Sequence, residues 1–274
     1  MANQVRCLCR STGGTHRAFT LIELLVVIAI IGVICGMVIP AVNSAREASR
    51  RAQCASNLHN LILGLQNFHS AQNRFPPGRF NKNGVEYSWC VDLLPFIEQE
   101  ALASSYDKSR PWTDPHGNLA VANSNIGILR CPSAITSFPG KSDYGGMMGS
   151  VLTSENWTGA LENGIMTEIN LAHESPIGFP DITDGTSQTI CIAESSDRDQ
   201  SSSGRWISGF NCFSHDNGGI TNQDPGEIHS MHRTGAYVAF ADGAVKFLRN
   251  TTDSYVIGAL CTRNLNETID LNSF

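Results

Sequence analysis

The chain has 274 residues, 41% hydrophobic and 16% charged, with a formal net charge of −6. That length accommodates one large domain or two modest ones, and the composition fits a folded domain joined to a strongly apolar segment. Residues 1–18 hold three arginines and no acid, so the remainder is more acidic still, which excludes a phosphate-binding face and nucleic acid as a partner.

Residues 24–42 form a run of 19 without a charge. As a helix of roughly 28 Å they match the hydrocarbon thickness of a bilayer. A core helix of a soluble domain is seldom apolar on every face over such a length. A secretory signal has a shorter apolar region that ends in a small-residue cleavage site. Here Glu23 interrupts the apolar stretch that begins at Phe19, and the small residues after Pro40 make a weak site, so a retained membrane anchor is expected. Arg6, Arg10 and Arg17 precede the span and Arg46, Arg50 and Arg51 follow it, which leaves the charge asymmetry of the flanks tied.

The stretch RAFTLIELLVVIAIIG, residues 17–32, resembles the type IV pilin signature. The resemblance implies that residues 1–18 are a leader removed by a prepilin peptidase between Ala18 and Phe19, and that Phe19 is then N-methylated. Family members usually carry glycine where this chain has the similarly small Ala18. The resemblance also implies a role for Glu23. A carboxylate in hydrocarbon needs a partner, and in an assembled fibre that partner is the α-amine of Phe19 on a neighbouring subunit. The other reading is a carboxylate that merely snorkels to the headgroups.

Beyond the span, Ala41, Ala45, Ala48, Ala52, Ala55, Leu58, Ile62, Leu65 and Phe68 recur at gaps of three and four, one face of a helix. A single helix is therefore expected from about Phe19 to about His69: transmembrane over 19–42, amphipathic and domain-packed over 43–75. Pro40 should kink or locally melt it. Phe75-Pro76-Pro77-Gly78 ends it, and residues 76–274 form the extracytoplasmic globular domain.

In that domain, residues 89–103 read as a short helix containing Pro95, and 187–195 and 205–213 read as strands. Residues 236–248 place two β-prone runs around Asp242-Gly243, the dipeptide of a tight type I′ hairpin. Segments 142–150, 197–204 and 214–227 read as loops rich in Gly, Ser and Asn. The fold class expected is α+β: a long N-terminal helix on an antiparallel sheet with loop-rich insertions.

Of nine cysteines, Cys54, Cys90, Cys131, Cys191, Cys212 and Cys261 fall in the domain. An even number is compatible with disulfides in an oxidising compartment, but small buried hydrophobes explain most of them. If any disulfide forms, it joins Cys54 to Cys131, which follows the apolar segment 126–129. No C-x-x-C occurs, so a zinc ribbon and a thioredoxin-type site lack support.

Several further patterns occur together. They are H-x9-D-G from His232 to Asp242-Gly243, Cys54 followed by Asn57-Leu58, Phe75-Pro76-Pro77-Gly78, Leu93-Leu94-Pro95, Cys131-Pro132-Ser133, and residues 182–189 (ITDGTSQT). In this combination the chain is similar to a large family of pilin-like bacterial proteins. That family is called domain of unknown function 1559, or bacterial extracellular solute-binding family 10, and is known chiefly from planctomycetes.

His232 and Asp242 invite a catalytic or metal reading. Turn chemistry accounts for Asp242 at a hairpin tip, where φ > 0 is needed, and His232 before the strand can hold a loop. No nucleophile elbow, H-E-x-x-H or P-loop occurs. Asp197, Asp199, Asp216 and Asp224 offer oxygens for calcium, but without EF-hand spacing. The expectation is a pilin-like structural subunit, linked to a type IV pilus or type II secretion-like system. It would have no enzymatic activity, cofactor or metal, and its partners would be the prepilin peptidase, the inner membrane and other pilin-like subunits. The alternative is an anchored receptor for a solute or polysaccharide, motivated by Trp112, Trp157, Trp206 and Phe210.

Overall fold

The computed structural model describes residues 20–153, 163–170, 177–198, 203–216, 218–220, 226–267 and 269. The expected leader, Phe19, Trp157, Asp199 and Asp224 lie outside the described residues. Two compact units are present, Met1–Arg46 and Glu47–Phe274.

Helix α1 (Leu21–Gln72) runs unbroken for 52 residues. It contains Pro40, so the local melting expected there does not occur. Proline removes a single amide donor from the ladder, and Ser44 Oγ donates to the Pro40 carbonyl at 3.0 Å. In the first unit every large apolar side chain of α1 is exposed, from Leu21 to Val42, and the helix is long and apolar enough to cross a membrane. These side chains are 41–79% exposed, so the rest of the described chain covers none of them as a core.

In the second unit α1 turns amphipathic. Cys54, Leu58, Leu61, Ile62, Leu65 and Phe68 are buried at helical spacing against the domain. A small sheet follows, ordered β2-β1-β4, from β1 (Arg79–Lys82), β2 (Val85–Ser88) and β4 (Glu168–Ile169). The main sheet is ordered β6-β3-β5-β7-β8, from β3 (Tyr144–Gly149), β5 (Ile190–Glu194), β6 (Cys212–Ser214), β7 (Gly235–Phe240) and β8 (Val245–Arg249). Most pairs are antiparallel, but β1–β4 and β3–β6 are parallel, so the sheets are mixed.

The main sheet carries a core on each face, and β7 shows why. Tyr237, Ala239 and Ala241 point to the side of α1, while Ala236, Val238 and Phe240 point to the side of the C-terminal helix Ser254–Cys261. That is the period-two alternation of a strand buried on both faces. On β5 both Cys191 and Ile192 join the α1-side core, and the register shift between Ile190 and Ile192 permits this.

Four expected elements differ. Residues 89–103 break into α2 (Trp89–Leu93), a 3₁₀ turn (Leu94–Ile97) with Pro95 in its first positions, and α3 (Glu100–Ser105). Glu98, at φ 62°, ends the turn in the left-handed region. Of residues 205–213 only Cys212 and Phe213 are in a strand, because 205–211 turn tightly around the buried Trp206.

The supposed loop 142–150 is largely β3, a glycine-rich strand. Its glycines admit neighbours: a Cβ on Gly145 would sit 2.7 Å from the Phe213 ring, and one on Gly146 would sit 2.9 Å from Met166 and 3.2 Å from the Trp89 indole nitrogen. Gly146→Val is expected to lower stability by about 1–3 kcal/mol, as overpacking does, read as a shift of the denaturation midpoint at unchanged slope.

The hairpin between β7 and β8 is present, but its turn is not type I′. Residues 241–243 form a three-residue loop in which only Gly243 has positive φ, at 96°, the arrangement of a turn followed by a left-handed glycine. Asp242 is there to accept a bond from the Ala244 amide at 2.9 Å, and not to adopt φ > 0.

Candidate functional site

At the start of α1, Thr20 and Glu23 bond reciprocally. Glu23 Oε2 accepts from the Thr20 amide at 2.9 Å, and Thr20 Oγ1 accepts from the Glu23 amide at 3.3 Å. This is a capping box, Thr-x-x-Glu, which satisfies otherwise orphaned amides at a helix start. The signal stands in the sequence as Thr20-Leu21-Ile22-Glu23, beneath the pilin signature. Ala18 and Phe19 lie outside the described residues.

In the domain, residues distant in the chain meet beside α1. Cys54 on α1 and Cys131 are buried free thiols, their sulfurs 2.8 Å apart. His232, just before β7, and Glu194, at the end of β5, complete a group of four. Their ligating atoms all lie within 4.8 Å of one another. His232 Nε2 faces Glu194 Oε1 at 3.6 Å, and neither atom has a hydrogen-bond partner. Tyr144 and Asn57 flank the group, Asn57 Nδ2 donating to the Arg130 carbonyl at 3.0 Å.

Three of the four are held from behind. His232 Nδ1 lies 2.7 Å from Glu47 Oε1, and Glu47 Oε2 receives Arg50 through Nε at 2.9 Å. Glu194 Oε2 accepts the Tyr237 amide at 2.8 Å. The Cys131 amide donates to Asp143 Oδ2 at 2.9 Å. Burial alone would lower the His232 pKa, but Cys131, Glu194 and Glu47 outweigh it and raise it to about 10. The Cys54–Cys131 contact, together with His232, holds the Cys131 thiol below its ordinary range, while the same contact and burial push Cys54 up. The pocket thus concentrates soft sulfur, imidazole and carboxylate at one buried point.

The structure therefore brings together Cys54, Cys131 and His232, and separates Asp242 and Gly243 from them. The pair sits at the hairpin tip, where Gln66 of α1 donates to the Ala241 carbonyl at 3.1 Å and the Asp242 amide donates to Thr186. The H-x9-D-G spacing thus covers a turn, strand β7 and the hairpin tip, with contacts to α1 at each end, His232 to Glu47 and Ala241 to Gln66. The strand is a strap pinned to α1 at both ends. Glu47 and Glu194 were not legible as site residues, because neither belongs to a local motif.

Of the aromatics, Trp206 is buried with its indole nitrogen donating to the Ser124 carbonyl, and Phe210 lies under the Arg79 guanidinium at 4.1 Å. A groove of about 400 Å³ beside α1 is lined by Asn60, Leu63, Asn67, Phe96 and Ile128 among others, and by no tryptophan. Asp197 and Asp216 are engaged separately, by Lys141 with Thr136 and by Ser214 with the Val151 amide.

The model of a family described as a protein of unknown function, DUF1559, matches residues 43–213 and 206–255. The prokaryotic N-terminal methylation motif matches residues 15–39. The type IV major pilin protein PilA of Myxococcus xanthus is 33% identical over 82 residues, 27% of this chain and 37% of its own length. Type II secretion system core protein G of Pectobacterium carotovorum is 34% identical over 65 residues, 24% of this chain and 42% of its own length. The Escherichia coli core protein G is 29% identical over 103 residues, 38% of this chain and 68% of its own length. The chain thus spans about two fifths of the first two relatives. No solved structure matches.

Proposed function

The chain belongs to the DUF1559 family and carries a pilin-type N-terminal methylation motif, and from that premise we propose that it is a subunit of a fibre or pseudopilus of the type IV pilus or type II secretion kind. The observation that carries this reading is one continuous helix, α1. Its first part is exposed and apolar and its second part buries one face, Cys54 to Phe68, against the domain. A helix so divided anchors a subunit in the bilayer before assembly and offers its apolar part to neighbouring helices afterwards. On this reading the N-terminus is cytoplasmic, the domain periplasmic or at the cell surface, and the work structural, without catalysis. The burial of Trp206 and the stacking of Phe210 on Arg79 favour a subunit over a receptor with an aromatic cleft.

The test is processing. Mass spectrometry of the native membrane protein is expected to find a chain starting at N-methylated Phe19, and Ala18→Trp should leave residues 1–18 attached. A wild-type chain that keeps the leader, or is cut near Ala45, overturns the proposal.

A further inference from the structure

We propose that Cys54, Cys131, His232 and Glu194 bind one Zn²⁺ ion that clips α1 to the sheet. This does not rest on the subunit reading above. Glu194 Oε1 and His232 Nε2 are buried, face each other at 3.6 Å, beyond hydrogen-bond reach, and lie within 4.8 Å of both thiols, and neither makes a hydrogen bond. Buried polar atoms are normally paired, because leaving one unpaired costs its full desolvation. A cation bound among them satisfies both.

The donor set selects the cation. Two thiolates, an imidazole and one carboxylate are zinc ligands, and four protein ligands in a buried closed site mark a structural ion with no open position for water. A tetrahedral site with zinc bonds of this kind has ligand–ligand edges of about 3.3–3.8 Å. The His232–Glu194 edge is already 3.6 Å. The sulfurs, at 2.8 Å, would part by about 1 Å on binding.

The surrounding bonds have the pattern of a metal's supporting shell. His232 gives its far nitrogen to Glu47, which fixes the ring and leaves Nε2 for the metal. Glu194 gives its other oxygen to the Tyr237 amide, and the Asp143–Cys131 amide bond positions the second sulfur. The four ligands come from α1, the segment after the 3₁₀ turn Gly127–Leu129, the end of β5 and the entry to β7. Sequence gaps this large hide the site from any spacing motif, and they let one ion join the helix to two strands.

The test uses the full-length chain in detergent, purified from its membrane without chelator. Elemental analysis is expected to give one zinc per chain. Replacement by Co²⁺ under anoxic conditions should give thiolate-to-cobalt charge-transfer bands. Cys54→Ser and His232→Ala should lose the zinc, whereas Cys35→Ser in the span should keep it. Glu47→Gln, which touches no metal, should weaken zinc binding about 10–100-fold. Should the ligand variants fail to fold, the wild-type cobalt spectrum still decides. A wild-type chain that holds no zinc and, once reduced, gives no charge-transfer bands with Co²⁺ overturns the proposal. So does peptide mapping that finds Cys54 and Cys131 joined as a disulfide in the native membrane.

Discussion

Glu23→Gln is expected to abolish incorporation into fibres while leaving membrane insertion and the folded domain unchanged. The capping geometry sharpens this expectation. In the single chain Glu23 already has work at the start of α1, where it accepts from the Thr20 amide and hydroxyl at 2.9 and 2.8 Å. Glutamine serves that role as well as glutamate does, so Glu23→Gln preserves the helix start and removes only the charge. Glu23→Val removes both the charge and the glutamate half of the capping box, while Thr20 stays in place, an effect confined to the first turn of a unit separate from the domain. If the carboxylate pairs with a neighbour's α-amine, both variants insert and fold but neither assembles. Cross-linking in membranes and electron microscopy of surface filaments read the outcome. If Glu23→Gln assembles like wild type and only Glu23→Val fails, Glu23 is a helix cap and the pairing between subunits is wrong. If both assemble, the glutamate serves export alone.

The helical part of this protein was open to sequence reading because a long apolar run and a strict three-four repeat each have one structural solution. Residues 21–72 follow directly. The hairpin of β7 and β8 was legible from its two β-prone runs around Asp242-Gly243, although the alternation of Ala239, Phe240 and Ala241 between two cores shows only in the fold. Strand β3 was not legible. Its glycines at 145, 146 and 149 read as a loop, and only the Phe213 ring and the Met166 and Trp89 side chains lying against them explain why a strand tolerates no side chain there. The site was half legible. Cys54, Cys131 and His232 stand out individually, but their meeting depends on how β5 and β7 lie along α1, which no local pattern encodes. Glu194 is one acid at the end of an apolar strand and Glu47 one of several charges on a helix. Nothing marks either until the fold places them.

A second buried charge cluster lies adjacent to Cys131. Lys141 is fully buried, and its ammonium is paired with Asp143 Oδ1 at 2.7 Å and donates to Asp197 Oδ1 at 2.9 Å and the Thr136 carbonyl at 2.9 Å. Asp143 is equally buried and uses its other oxygen to hold the Cys131 amide. Removing one partner of a buried pair strands the other charge, so Lys141→Met is expected to cost about 3–5 kcal/mol. In a unit of this size that corresponds to a fall in Tm of roughly 6–20 °C. Lys141→Met with Asp143→Asn should be less damaging than Lys141→Met alone, because the amide removes the buried carboxylate that Lys141 faced and still accepts from Cys131; part of the loss remains, since Arg130 at 3.6 Å and the buried Arg198 also face Asp143. The cluster also fixes an acid limit. Burial by itself would raise the Asp197 pKa, but the Thr136 hydroxyl, Lys141 and the amides of Ile135 and Thr136 bring it down to about 2. A depressed carboxylate pKa contributes stability at pH values above its ordinary range near 4, and that contribution is lost as the pH falls toward 2. Lys141→Met, lacking one of the groups that depress it, should show a shallower loss across that window. Denaturation midpoints of the full chain between pH 2 and 6 read both effects, and a Lys141→Met protein with the wild-type midpoint at neutral pH would show that this cluster does not hold the domain together.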